Sequence, residues 1–143
     1  MAIKKRHWLW NLVIVVTIII CLLAFALHAK NWTRVEDGRM ELISGFYYTA
    51  IPFAEIEKVS MVPKIPELER INGFSAWDVE KGVFRDTLNK IENIRVYIDD
   101  LKQEKIRLDR KDSSIVYFNF TDSLRTRDFY ELLTSKIVKA ENK

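Results

Sequence analysis

The chain has 143 residues, 48% hydrophobic and 12% aromatic, enough apolar material for one packed domain and too much for a disordered chain. Its net charge of +3 is supplied by Lys4, Lys5 and Arg6; without them twenty basic side chains face twenty acidic ones, all beyond the first apolar segment. A neutral domain with interspersed charges has no basic stripe, so nucleic acid is not an expected partner.

The chain divides into a basic flank (1–7), a transmembrane helix (8–28), a polar juxtamembrane tether (29–38) and a folded domain (39–143). From Trp8 to Leu27 no residue is charged, and about 1.5 Å of rise per residue carries such a helix across roughly 30 Å of hydrocarbon. Asn11 and Thr17 are its polar residues, and a helix satisfies a threonine hydroxyl internally. Trp8 and Trp10 at one end, and Trp32 beyond Leu27 at the other, suit the two interfaces, where amphipathic rings reside. A cleaved signal peptide is the alternative, with Ala24-Phe25-Ala26 as its small-x-small site, but the apolar run exceeds a usual signal core. The tight Lys4-Lys5-Arg6 cluster favours the N-terminus inside and the domain on the extracytoplasmic side of the cell (plasma) membrane.

Short strand candidates follow, separated by turn signals. Met40–Ile43 and Phe46–Ile51 flank Ser44-Gly45, a hairpin turn, and Pro52 ends the second run. Ile56–Val62 is stopped by Pro63 and Pro66. Asn72-Gly73 reads as a turn because both residues tolerate positive φ, and Lys81-Gly82 as another. Ile94, Val96 and Ile98 alternate with polar neighbours, as do Ile106 and Leu108, the period of a strand with one buried face. Val116, Phe118 and Phe120 share a face of the last strand. Thr121-Asp122 then offers a helix cap, and Leu124, Phe129, Leu132, Leu133 and Ile137 form an apolar stripe on a helix over about 122–139. The expected class is α+β: about seven antiparallel strands in a curled sheet or partial barrel, closed by one C-terminal helix.

This order of elements resembles the pleckstrin-homology-like (PH-like) fold, and more closely the small membrane-anchored bacterial PH domains. The resemblance rests on Gly45, Tyr47, Tyr48, Ile51, Pro52, Glu55, Ile56, Val59, Arg70, Asn72, Gly73, Phe74, Gly82 and Phe84, and it spans roughly residues 39–137. It implies a fold rather than a ligand. Lipid-binding members carry a basic first hairpin, whereas Leu42–Tyr47 here contains no cation, so phosphoinositide binding is not expected.

No catalytic constellation is visible. Both histidines, His7 and His28, flank the membrane helix, which leaves Cys-His and Ser-His chemistry without partners in the domain. Cys21, the one cysteine, lies inside the apolar segment. Asp99-Asp100 and Glu67/Glu69 read as solvated turn residues, and the four glycines are scattered singly, so neither a metal nor a phosphate-binding cofactor is expected. The candidate binding surface is Arg70, Asn72, Phe74 and Trp77 with Tyr47 and Tyr48: an arginine, a turn and aromatics that read either as the core side of a hairpin or, if exposed, as anchors of a protein contact. The expectation is a non-enzymatic interaction module that recognises a protein or another envelope component, with a lipid- or small-ligand-binding sensor as the alternative.

Overall fold

A computed structural model describes residues 3–142. Helix α1 (Ile3–Ala29) reaches back through the basic flank to Ile3, farther than the sequence pattern suggests. Its stretch His7–Leu27 is long and apolar enough to cross a membrane and is not buried by the rest of the chain. Thr17 donates its hydroxyl to the Val13 carbonyl at 2.8 Å, which hides its polarity inside the helix.

Nine strands in two sheets are present among the described residues. The first sheet is a meander of β1 (Asn31–Glu36), β2 (Arg39–Ser44) and β3 (Tyr47–Pro52). The second contains β4 (Ile56–Val62), β5 (Glu69–Ala76), β6 (Val79–Asp86), β7 (Ile91–Ile98), β8 (Lys105–Arg110) and β9 (Ile115–Phe118), in the order β4-β8-β9-β7-β6-β5. Helix α2 (Ser123–Glu141) follows, capped by Asp122, whose carboxylate accepts from the Leu124 amide at 2.9 Å. The α+β class therefore holds. The all-antiparallel expectation does not, because β7 and β9 pair parallel.

Three further corrections concern connections. The expected tether over 29–38 is mostly strand: β1 pairs with β2 in register from Asn31↔Ser44 to Glu36↔Arg39. Its alternation of Thr33 and Val35 with charged residues was too polar to signal a strand. Asn72-Gly73 and Lys81-Gly82 are not turns either but face each other in the middle of the β5–β6 ladder. A Cβ on Gly73 would sit 2.1 Å from the Lys81 carbonyl oxygen, and one on Gly82 2.1 Å from that of Asn72. These glycines permit backbone contact rather than chain reversal. The reversal comes at Trp77-Asp78, with Trp77 at φ 52°, a conformation costly for a bulky residue. The first hairpin turns one residue later than expected, on Gly45-Phe46, where Gly45 supplies a φ of 63°.

The main core lies between the sheets and is closed by α2. Met40, Leu42 and Ile51 meet Tyr97, Ile106, Leu108, Val116 and Phe118, with Leu133 and Ile137 from the helix. Burying each helix residue contributes about 1.5–3 kcal/mol. Leu124 and Leu132, expected in the stripe, are exposed; the expected Phe129 is half-buried against the core, and Thr126 and Tyr130 take the other places. A second cluster covers the other face of the larger sheet, where Ile65 and Leu68 from the proline-broken segment 63–68 pack over Phe84, Ile94, Val96 and Ile98.

Candidate functional site

Strand directions give the domain two ends. The turn Gly45-Phe46, the turn Trp77-Asp78, the β7–β8 loop and the start of α2 all lie at the end where β1 leaves α1. The turns 37–38, 87–90 and 111–114 lie at the other.

At the α1 end the two hairpin tips are exposed and aromatic, while the β7–β8 loop and the start of α2 expose Lys102, Glu104 and Asp122. Phe46 is 84% and Trp77 85% exposed. Across the outer face of the small sheet the register aligns Trp32, Ile43 and Tyr48 in one row, all substantially exposed. The next rows are Arg34 with Glu41, then Glu36 with Arg39, tied by Arg39–Glu36 and Arg39–Glu41 ion pairs at 2.9 and 3.0 Å. Polarity thus rises along the strands away from α1. The helix touches this end directly: Phe25 meets the Trp77 ring edge-on at 6.2 Å between centroids. Ile20, Leu23, Ala24 and Leu27 form one wall of an apolar groove of about 330 Å³, with Trp32, Ile43, Gly45 and Phe46 opposite.

The six predicted surface residues do not form one patch. Tyr47 packs its ring on Tyr97 and brings its hydroxyl within 3.5 Å of Asn72 Oδ1, so these two meet where the edges of the two sheets approach. A bulge between Arg70 and Asn72 reverses the facing of β5. Arg70 consequently lies over the Phe84 ring at 5.7 Å and pairs with Glu80 at 3.6 Å, on the face opposite Asn72. Phe74 is half-buried on the Asn72 side. Tyr48 points outward and donates to Glu41 Oε1 at 2.9 Å, while Trp77 is at the hairpin tip beside α1. Trp8, Trp10 and Leu27 are exposed along α1. Lys4, Lys5 and Arg6 lie in its first turn, and their side chains fall outside the described residues.

The sequence reading missed a buried polar cluster at the same end. Lys81 is fully buried and forms an ion pair with Asp99 at 2.9 Å, so Asp99 is no solvated turn residue. Lys81 Nζ also donates to Asn31 Oδ1 at 3.0 Å. The Asn31 amide donates to Asp99 Oδ2 at 2.8 Å, and its side-chain NH₂ to the carbonyls of Tyr97 and Asn119. Asn119 Oδ1 accepts from the Asp99 amide at 2.9 Å. Burial pushes the Lys81 ammonium down and the Asp99 carboxyl up, and each partner's charge opposes that displacement. Asn31 lies two residues beyond the end of α1, so this cluster ties the start of β1 to the larger sheet. Partners of Asn31 that lie 50 to 88 residues away leave no local signal from which the cluster could be found. Glu69 also lies outside its expected solvated turn, in β5, where Arg85 holds it at 2.8 Å.

Among the described residues no three His, Cys, Asp or Glu side chains converge as metal ligands. The arrangement is thus an α+β domain preceded by one helix able to cross a membrane. No protein family, curated protein or solved structure matches the chain.

Proposed function

We propose that the protein is a non-enzymatic interaction module, anchored in the cell membrane by a single pass of α1, with a PH-like domain on the extracytoplasmic side. Its partner is a protein or other envelope component received along β5. The observation that supports this reading is that β5 ends the larger sheet, paired on one side only, and displays Arg70, Ile71 and Asn72 to solvent. An open strand edge supplies backbone donors and acceptors, and neighbouring side chains supply selectivity. The three-stranded meander, second sheet and terminal helix fit the PH-like outline, while the parallel β7–β9 pair departs from it.

A photo-crosslinking residue at Ile71, compared with one at Lys111 in the far turn, tests the proposal in intact cells. A discrete protein adduct at Ile71 alone, lost on Arg70→Glu, is the expected result. Equal labelling at both positions, or none at Ile71, would remove the β5 reading. A cysteine at the exposed Ser113, with Cys21→Ser, reports topology: labelling of intact cells by an impermeant thiol reagent is expected, and protection until lysis places the domain inside.

The sensor alternative has one observation in its favour. Lys136 and Lys139 converge with Asp37, Gly38, Phe53 and Ala54 on a groove between α2 and the first β-turn. Binding of a small anion that is lost on Lys136→Ala would favour it.

A further inference from the structure

We infer that the α1 end of the β domain is itself immersed in the bilayer that α1 crosses, and that the groove between α1 and the small sheet is filled by a lipid acyl chain. The inference rests on α1 being a membrane span; everything else comes from what stands beside it. Trp77 contacts Phe25, two residues before Leu27, which is about 3 Å of helix rise inside the apolar segment. Phe46 shares the groove with Ile20, Leu23 and Leu27, and Ile20 is about 10 Å deeper than Leu27. A helix that spans at these residues therefore carries both hairpin tips into the outer hydrocarbon and interfacial region.

The surface chemistry agrees with that depth. The groove walls are Ile, Leu, Ala, Trp, Gly and Phe, which water solvates poorly and an acyl chain fills well. Above it the row Trp32–Ile43–Tyr48 is amphipathic, as side chains at an interface are. The ion pairs of Arg34, Glu36, Arg39 and Glu41 begin only in the rows beyond. Exposed lysines, Lys30 and Lys102, sit at the same end, with Lys102 paired to Asp78 at 2.9 Å, at the height where headgroup phosphates lie. At the far end Leu88 is as exposed as Phe46 but has no neighbouring aromatic row or groove. The buried Asn31–Lys81–Asp99 cluster ties the start of β1 to the larger sheet, one residue after Lys30, while the Phe25–Trp77 contact sets the hairpin tip against α1.

The test is depth-dependent tryptophan quenching in the full chain, reconstituted in phosphatidylcholine vesicles with lipids brominated near the glycerol end of the acyl chain. Four single-tryptophan proteins are compared, all other tryptophans being replaced by Phe. They retain Trp77, or carry Phe46→Trp, Ile19→Trp in mid-helix, or Leu88→Trp at the far end. Trp77 and the Phe46→Trp probe are expected to lose about half of their emission to brominated lipid and to resist aqueous iodide, as interfacial rings do. The Leu88→Trp probe should show the reverse. If both tip probes ignore brominated lipid and respond to iodide while Ile19→Trp is quenched by lipid, the domain stands clear of the membrane and the inference is wrong. If Ile19→Trp also ignores the lipid, the anchor reading fails and the inference falls with it. Either tip alone decides the matter should the other variant not fold.

Discussion

The hairpin turns at the two ends of the β domain reverse the chain by different means. At the far end the turns satisfy themselves. Asp86 accepts from the amides of Leu88 and Asn89 and from the Asn89 side chain at 2.7–3.0 Å, and Asp112 accepts from the Ser114 amide at 2.9 Å. Short polar side chains bonding two or three residues ahead need nothing from the rest of the fold. At the α1 end Asp100 uses the same device on the Lys102 amide at 2.8 Å, but the hairpin tips Gly45-Phe46 and Trp77-Asp78 do not, and further bonds come from across the molecule through Asn31, Lys81, Asp99 and Asn119. One end is built for water and local chain geometry. The other carries apolar hairpin tips outside and an ion pair inside, beside the helix that is long and apolar enough to cross a membrane.

The comparison can be broken most severely at the buried pair. Lys81→Met or Asp99→Leu alone leaves one charge buried without its partner and is expected to cost about 3–5 kcal/mol, read by urea unfolding in detergent micelles. The double variant should recover most of that loss, since two apolar side chains of similar size leave no charge to solvate; a double variant as unstable as the singles would show that the pair does more than neutralise itself. Next comes Gly82→Ala, whose methyl group meets the Asn72 carbonyl, with an expected loss of about 3 kcal/mol from clash and strain together. Asn31→Ala should cost about 2 kcal/mol by leaving buried donors and acceptors unmet, and should also loosen the start of β1, visible as faster amide exchange at Trp32 and Thr33.

Effects at the far end are smaller and follow pH. Hydrogen bonds from Asn89, side chain first, hold the Asp86 carboxyl below the usual aspartate value. A depressed folded value contributes stability that is fully present above the unfolded value and fades as pH falls through the folded one. Asp86→Asn should therefore lower stability modestly at neutral pH, where the ionised carboxylate contributes, and flatten the further loss on acidification below about pH 4, read by urea unfolding across pH. An unaltered acid limb would show that the turn is not held by the ionised carboxylate. Leu88→Ser, a surface change at the same turn, should stay within about 0.5 kcal/mol, the least of these effects.

Much of this fold was legible residue by residue because its signals are local. The span over Trp8–Leu27, the β2–β3 hairpin, the alternation in β7 and β8, and the Asp122 cap of α2 each depend on neighbours within about one turn or one strand. What escaped depends on partners distant in sequence. The polar segment Asn31–Glu36 becomes a strand only because β2 lies beside it. Gly73 and Gly82 resemble turn glycines until their backbones are found in contact. Lys81 and Asp99 look like surface charges until each becomes the other's solvent. The chain by itself determined that there is one helix apolar enough for a membrane and an α+β domain behind it, since period and composition are properties of short segments. Only the tertiary structure decided which end of that domain faces α1 and which polar groups tie the start of β1 to the larger sheet, because those relations hold between residues that only folding brings together.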